Sequence, residues 1–320
     1  MTRLVTGGAG FVGSHLCDSL LNSGKQVICL DNIGSGQYRN IEHHLDKKEF
    51  EFINGDVRDD IGKSLSTESV NPDSIDRIYH LASRASPKDF RSHPIEIATT
   101  NSQGTYNIFS FANDVDARVL FASTSEIYGD PEVHPQPEWY AGNVDPRGPR
   151  SSYQEGKRLG ESLAVSFYKE HGLDVRTARL FNTYGPRMRP NDGRVVPTFM
   201  FQAVEGRNLT VYGDGTQTRS LLYIADQIHG LRRLMDATGF AGDVVNIGST
   251  AEITINELAK MIIQLTGTRS GITYEPLPEN GPPRRRPDIS KAVRRLGWKP
   301  TIDLDYGLDQ TLLYFENQMR

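Results

Sequence analysis

The chain has 320 residues and a mass of 35.7 kDa, 37% of them hydrophobic and 24% charged, which suffices for one large domain or a large domain with a smaller lobe. A formal net charge of −4 offers no electrostatic basis for binding nucleic acid or a membrane surface. The two cysteines, Cys17 and Cys29, fall in expected core elements and make neither a disulfide framework nor a metal site; with no signal peptide and no apolar run of membrane-spanning length, a cytoplasmic protein without metal is expected.

Residues 2–6 read as a short buried strand that runs into Gly7-Gly8-Ala9-Gly10-Phe11-Val12-Gly13, a glycine turn opening an amphipathic helix over 11–23. Glycine allows the tight turn and the close approach of backbone to a pyrophosphate, which then rests on the free N–H groups of the helix N-terminus. The second strand, 26–30, ends in Asp31, eighteen residues after Gly13. A carboxylate there accepts hydrogen bonds from ribose hydroxyls and repels a 2′-phosphate. Asn32 follows it instead of an arginine, so NAD is favoured over NADP. The third strand, 50–54, is followed by Gly55-Asp56-Val57, and Asp56 is placed at the adenine. The fourth, 76–81, ends in His80-Leu81-Ala82-Ser83 at the same edge, and Asn101, on a helix expected over 91–113, is placed to structure that strand end.

The fifth strand, 117–123, delivers Ser123-Thr124-Ser125-Glu126, and a helix over 150–170 carries Tyr153 and Lys157. Residues four apart share a helix face, and an ammonium beside a phenol stabilises the phenolate, so a tyrosine with a reference pKa of about 10 becomes a base. With hydroxyls from the strand end and the carboxylate of Glu126, this is a hydroxyl-oxidising site with one extra acid or base. A sixth strand, 174–180, completes the alternation of strand and helix that defines an α/β, doubly wound parallel sheet of Rossmann type. Beyond residue 180 glycine and proline thicken, with helices at 254–267 and 304–318. We read 1–180 as the NAD-binding domain and 181–320 as mainly a smaller, interleaved substrate lobe, some of whose segments return to the first. Arg187, Arg219 and Arg285 lie in its loops and could clamp a diphosphate, or form a solvated basic face.

With these residues assembled, nearly the whole chain resembles the extended short-chain dehydrogenase/reductase family acting on nucleotide sugars, and within it the uronic-acid decarboxylases. The densest matches are 122–136, Gly148-Pro149-Arg150-Ser151-Ser152-Tyr153-Gln154-Glu155-Gly156-Lys157-Arg158, 181–188, 213–219, and 285–288 followed by Leu296-Gly297-Trp298-Lys299-Pro300. The resemblance implies that UDP-glucuronate is oxidised at C4 by NAD, decarboxylated and reduced again to UDP-xylose. Tyr153 would be the base held by Lys157, Thr124 or Ser123 would orient the hydroxyl, and Glu126, with a water or Ser125, would protonate C5. It implies NAD contacts at Gly7, Gly10, Phe11, Val12, Gly13, Asp31, Asn32, Asp56, Val57, Leu81, Ala82, Ser83, Tyr153 and Lys157. Substrate contacts are implied at Glu126, Asn182, Arg187, Val196, Tyr212, Arg219 and Arg285, with Arg285 at the carboxylate or the diphosphate. Sugar dehydratases place Asp where Ser125 stands, and 4-epimerases a small or uncharged residue where Glu126 stands. Alternatives are release of the 4-keto pentose, 4-epimerisation, or a sensor that binds without turnover. A homodimer is also implied. The family pattern is broken at Arg84, in place of proline, at Phe90, in place of tyrosine, and at Asn280-Gly281-Pro282.

Overall fold

The computed structural model describes residues 2–67, 70–190, 192–277 and 284–319; the Asn280-Gly281-Pro282 departure lies outside them. Its centre is a seven-stranded sheet containing β1 (Thr2–Thr6), β2 (Gln26–Asp31), β3 (Phe50–Asn54), β4 (Ile75–His80), β5 (Arg118–Thr124) and β6 (Val175–Leu180), with Val244–Ile247 as the seventh strand. The spatial order is Val244–Ile247, β6, β5, β4, β1, β2, β3, and every pairing is parallel. All five residues of β1 are buried, as a strand covered by helices on both faces requires. Strand order reverses between β1 and β4, which opens a crevice at the carboxyl ends of the strands.

Local chemistry departs from the sequence reading in three places. The helix expected over 91–113 is broken into Pro87–Ser92, Pro94–Thr99, a wide π turn at Thr100–Gly104, and Thr105–Asp114. Pro94 ends the first piece because proline disfavours helical geometry at the preceding residue, and His93 sits at φ −135°, ψ 44°. The strand Val244–Ile247 has only four residues, too few for a period to show, and forms because β6 offers an open edge. The helices Val195–Val204 and Ile224–Asp236 occupy chain that glycine and proline suggested would be irregular. The second of these buries Ile224, Ile228, Leu231, Leu234 and Met235 in one cluster with Val5, Leu120, Ala178 and Val245 of the sheet, so this part of the later chain packs on the first domain. A separate core of Val196, Phe199, Leu209, Leu258, Ile262, Leu308 and Phe315 holds the smaller lobe.

The helix Ser151–His171 lies against β5 at Gly160, where an added Cβ would stand 2.4 Å from Cζ of Phe121. The Phe121 ring in turn lies under Lys157, with Nζ 4.9 Å from its centroid. Gly160→Ala gains helix propensity of about 1 kcal/mol. Overpacking against a ring with no room to yield costs roughly 1–3 kcal/mol. The expected net result is a melting temperature lower by a few degrees; an unchanged or higher value would show that the helix can shift freely off β5.

Candidate active site

The glycine turn forms the floor of the crevice. Gly13 approaches so closely that a Cβ there would lie 2.1 Å from the Gly7 carbonyl oxygen, so no other residue fits. The helix Phe11–Asn22 begins at Gly10 without a side-chain cap, leaving its first N–H groups directed to the cleft. At the end of β2, Asp31 accepts from the Ala9 N–H (3.0 Å) and the Ile33 N–H (2.8 Å), tying the turn to the next loop. Burial pushes its carboxyl up while these two donors oppose the shift. Asp56 is held at about 2, first by hydrogen bonds from Arg58, against a burial cost, and Asn32 Nδ2 donates to it at 2.7 Å. The Leu81 and Ala82 N–H groups donate to Thr6, at 3.1 and 3.3 Å, fixing the end of β4 beside the turn. One cavity of about 1330 Å³ is lined by Gly7, Gly10, Phe11, Val12, Gly13, Asp31, Asn32, Asp56, Val57, Leu81, Ala82 and Ser83 and runs on to Tyr153 and Lys157. Pockets for single ligands hold about 300–1,000 Å³, so this one has room for a dinucleotide and a second molecule. The uncapped helix, the glycine cradle and the acid at the end of β2 fit NAD.

At the far end, Tyr153 is buried, stacked on Phe90 with centroids 4.8 Å apart, and its hydroxyl is hydrogen-bonded to Thr124. Burial lifts the phenol to about 12, Thr124 opposes the shift, and the charge of Glu126 adds to it. Lys157 is also buried, and Nζ donates to the Ala122 carbonyl at 2.8 Å, so among the described contacts the ammonium is tied to β5 instead of the phenol. Burial lowers it to about 7, with Glu161 opposing. Ser123 and Thr124 point to opposite faces of β5: Ser123 donates to Glu161, while Thr124 stands beside Tyr153 and accepts the Glu126 N–H at 3.1 Å. Ser125 is buried in the turn Ser125–Tyr128 that follows. Asn101 lies in the π turn, its Nδ2 on the Ile97 carbonyl (2.9 Å), and a Cβ at Gly156 would come within 2.8 Å of it.

Glu126 is the electrostatic centre. Arg150 Nη1 lies 3.2 and 3.3 Å from its two oxygens, Gln154 Nε2 lies 3.2 Å from one, and Arg285 pairs with the other. Burial by itself would raise this carboxyl, but Arg285 and then Arg150 outweigh it and hold it at about 2. Arg150 and Gln154, one helical turn apart, are candidate site residues that the sequence reading overlooked; their spacing to Tyr153 on the same helix start was the available signal. Arg219 also faces Glu126, Arg150 and Arg285, and burial lowers its guanidinium to about 10. Asn182, Arg187, Val196 and Tyr212 line the same cavity. Asn182 Nδ2 and Arg285 Nε are buried without a hydrogen-bond partner, donors suited to an anionic ligand. Arg187 is drawn off by Asp18, at 2.7 Å, on the outer side of the glycine helix. Asp18 also meets His43 and His44, a set with the spacing of metal ligands. Lys47 donates to His44 Nδ1 at 2.9 Å, leaving Nε2 as the donor to Asp18, so the set works as a hydrogen-bond network. Among the described residues no helix is long and apolar enough to cross a membrane.

Residues 4–311 match the family model described as GDP-mannose 4,6 dehydratase. UDP-glucuronic acid decarboxylase 1 of Danio rerio is 48% identical over 316 residues, 99% of this chain and 73% of that protein. UDP-glucuronic acid decarboxylase 3 of Arabidopsis thaliana is 45% identical over 309 residues, 96% of this chain and 87% of its own. Among solved structures, UDP-glucuronic acid 4-epimerase from Bacillus cereus in complex with UDP-glucuronic acid and NAD superposes with a TM-score of 0.87 at 29% identity, covering all of both chains.

Lys157 yields a pH test. Burial holds it near 7 in the folded protein, below the ordinary lysine value of 10.5, so between the two the unfolded chain binds more protons and stability rises with pH. The cost of the buried ammonium is therefore complete below pH 7. Lys157→Met should raise the melting temperature of the cofactor-free protein at pH 6, with the gain shrinking by pH 10. A gain independent of pH would show that charge burial is not its source.

Proposed function

The chain belongs to the GDP-mannose 4,6-dehydratase family of extended short-chain dehydrogenases/reductases, and from that premise we propose that it converts UDP-glucuronate to UDP-xylose and CO₂ with NAD as its cofactor. The observation that carries this reading is a hydroxyl-oxidising set, Tyr153, Lys157 and Thr124, sharing one cavity with a Glu126–Arg285–Arg150 cluster. A sugar bearing both a C4 hydroxyl and a carboxylate matches both halves. Ser125 in the position of a dehydratase aspartate leaves elimination without its acid.

NAD⁺ held along the strand edge would accept hydride from C4 and later return it. Thr124 holds the C4 hydroxyl against Tyr153, which takes its proton. At about 12 the buried phenol needs positive charge to do so: Arg194 and Arg285 already act on it, and Lys157, one helical turn on, adds its own by leaving the Ala122 carbonyl for the phenol side. The resulting 4-keto acid carries its carboxylate beta to the carbonyl. The C5–carboxylate bond breaks, CO₂ leaves, and the electron pair moves into the carbonyl as an enolate that Tyr153 and Thr124 stabilise by hydrogen bonds. C5 then takes one proton. Glu126 is ionised at rest, so it cannot supply that proton while both arginines hold it. A substrate carboxylate competing for Arg285 and Arg150 loosens that hold. Burial and the charge of the substrate carboxylate then raise the Glu126 carboxyl, which takes up one proton from solvent and passes it to C5, directly or through a water, ending ionised again. Asn182 and Arg219 take the diphosphate, Val196 and Tyr212 border the nucleotide, and Arg187 joins them by exchanging Asp18 for phosphate.

A 4-epimerase reading is favoured by one finding, the likeness to the UDP-glucuronic acid 4-epimerase fold. We further propose a cytosolic homodimer, supported by Tyr106 on the helix Thr105–Asp114 and by Leu159 and Val165 on the helix Ser151–His171, which are 48%, 46% and 40% exposed.

An NMR time course with UDP-glucuronate decides between these chemistries. UDP-xylose with loss of the carboxylate carbon is expected; UDP-galacturonate would establish epimerisation, and an accumulating keto-pentose would mean that the second hydride transfer fails. Tyr153→Phe should lower turnover by about 10²–10⁴-fold with substrate affinity nearly intact. Glu126→Gln should still form NADH in a single turnover while UDP-xylose appears more slowly, and equal rates of product formation would remove Glu126 from the proton step.

A further inference from the structure

Arg84 follows His80-Leu81-Ala82-Ser83 at the end of β4, where the family pattern has proline. Its Nη2 lies 3.0 Å from where a Cβ on Gly34 would project, so the guanidinium rests against the loop that follows Asp31 at the end of β2. In the sheet β1 lies between β4 and β2. A contact from beyond β4 to beyond β2 must therefore pass over the end of β1, which is the glycine turn, and cover about 10 Å at roughly 4.8 Å per strand. The other side of the guanidinium is anchored: Nε donates to Glu96 Oε1 at 2.9 Å, on the helix Pro94–Thr99. Arg84 is only 14% exposed, and it lines the same cavity as Phe11, Asn32, Ser35 and Ser83.

Charge favours a role toward an anion. The turn from Gly7 to Gly13 contributes backbone N–H groups and no cationic side chain. Around it stand Asp31, Glu96 and Asp56; Asp56 is paired with Arg58 and Glu96 with Arg84, whose Nη groups stay turned to the groove and the Gly34 loop. A diphosphate laid in this groove meets Arg84 as the cation above it, opposite the N–H groups below. The reaction gives such a cover a purpose. Hydride leaves C4 and returns to C4, so a reduced dinucleotide that escaped between the two steps would strand a keto sugar.

We propose that Arg84 is a cofactor-retaining residue, a guanidinium strap anchored on Glu96 and laid across the diphosphate groove onto the Gly34 loop, which slows release of the dinucleotide. This rests on the reading of the cleft as an NAD site.

The test is the dissociation rate of NADH from the full-length protein, followed by loss of NADH fluorescence on chasing with excess NAD⁺. Arg84→Ala should speed release roughly 10- to 100-fold, the scale of one lost charge-assisted contact. Arg84→Lys, which keeps the charge without the two-point span, should fall between, and Glu96→Gln should speed release by freeing the anchor. Release from the wild type should quicken with salt, and release from Arg84→Ala should respond far less. Melting temperatures of all the proteins check that each is folded. Release from folded Arg84→Ala within twofold of wild type, with tight binding in both, overturns the role of Arg84 alone. A wild-type protein that binds no dinucleotide overturns the cofactor site, and this proposal with it.

Discussion

A carboxylate can stay ionised inside a protein only if counter-charges and hydrogen bonds replace the water it gives up. Glu126 imposes that requirement at the end of β5, and much of the architecture meets it. Arg150 comes from the start of the helix that carries Tyr153, Gln154 from the next turn, and Arg285 from 159 residues away in the sequence. The last is brought in by backbone pairing: the Gln136 N–H donates to the Arg286 carbonyl at 2.8 Å and the Asp288 N–H to the Gln136 carbonyl at 2.9 Å. One buried charge thus couples the sheet, the catalytic helix and the late chain into a single wall of the cavity.

The same coupling keeps the two halves of the chemistry apart. In the proposed reaction, hydride and proton transfer at a hydroxyl fall to Tyr153, Thr124 and Lys157, whose backbone supports are β5 and one helix. Recognition of the anionic substrate falls, in the same proposal, to Arg150 at the start of that helix and to arginines contributed by the later chain. Such a division lets one frame serve several reactions, and structures of epimerases superpose over the full length at under a third identity. At the strand end this chain carries a serine at 125 and, at 126, a glutamate inside an arginine cage.

Buried titratable groups are held away from their solution behaviour throughout the site. His80, fixed between the Thr6 and Thr105 hydroxyls, is driven to about 3 by burial and by Lys157, so it remains a neutral structural element. Lys157 is lowered to about 7 and Tyr153 raised to about 12, and among the described residues no counter-ion touches either. A site arranged in this way stores the cost of unpaired polar groups where an ionic ligand can offset it.

The sequence by itself determined whatever local spacing encodes. The glycine turn, the acid at the end of β2, and Tyr153 and Lys157 on one helix face are short-range patterns, and the first six strands lie within a residue or two of their expected positions. The helix over 91–113 was legible as helix; its division at Pro94 follows from proline's own geometry, while its π turn packs against the helix Ser151–His171. Tertiary structure alone decided which polar groups meet. It gave Lys157 the Ala122 carbonyl, sent Ser123 to Glu161, drew Arg187 to Asp18, and seated Arg150 and Arg285 on Glu126. It also decided that Val244–Ile247 closes the sheet and that Arg84 crosses the glycine turn. The physical reason is that helix and strand periods are set by neighbours within a few residues. The partner of a buried charge is set by whichever opposite charge the folded chain brings within about 4 Å, however far away it lies in sequence.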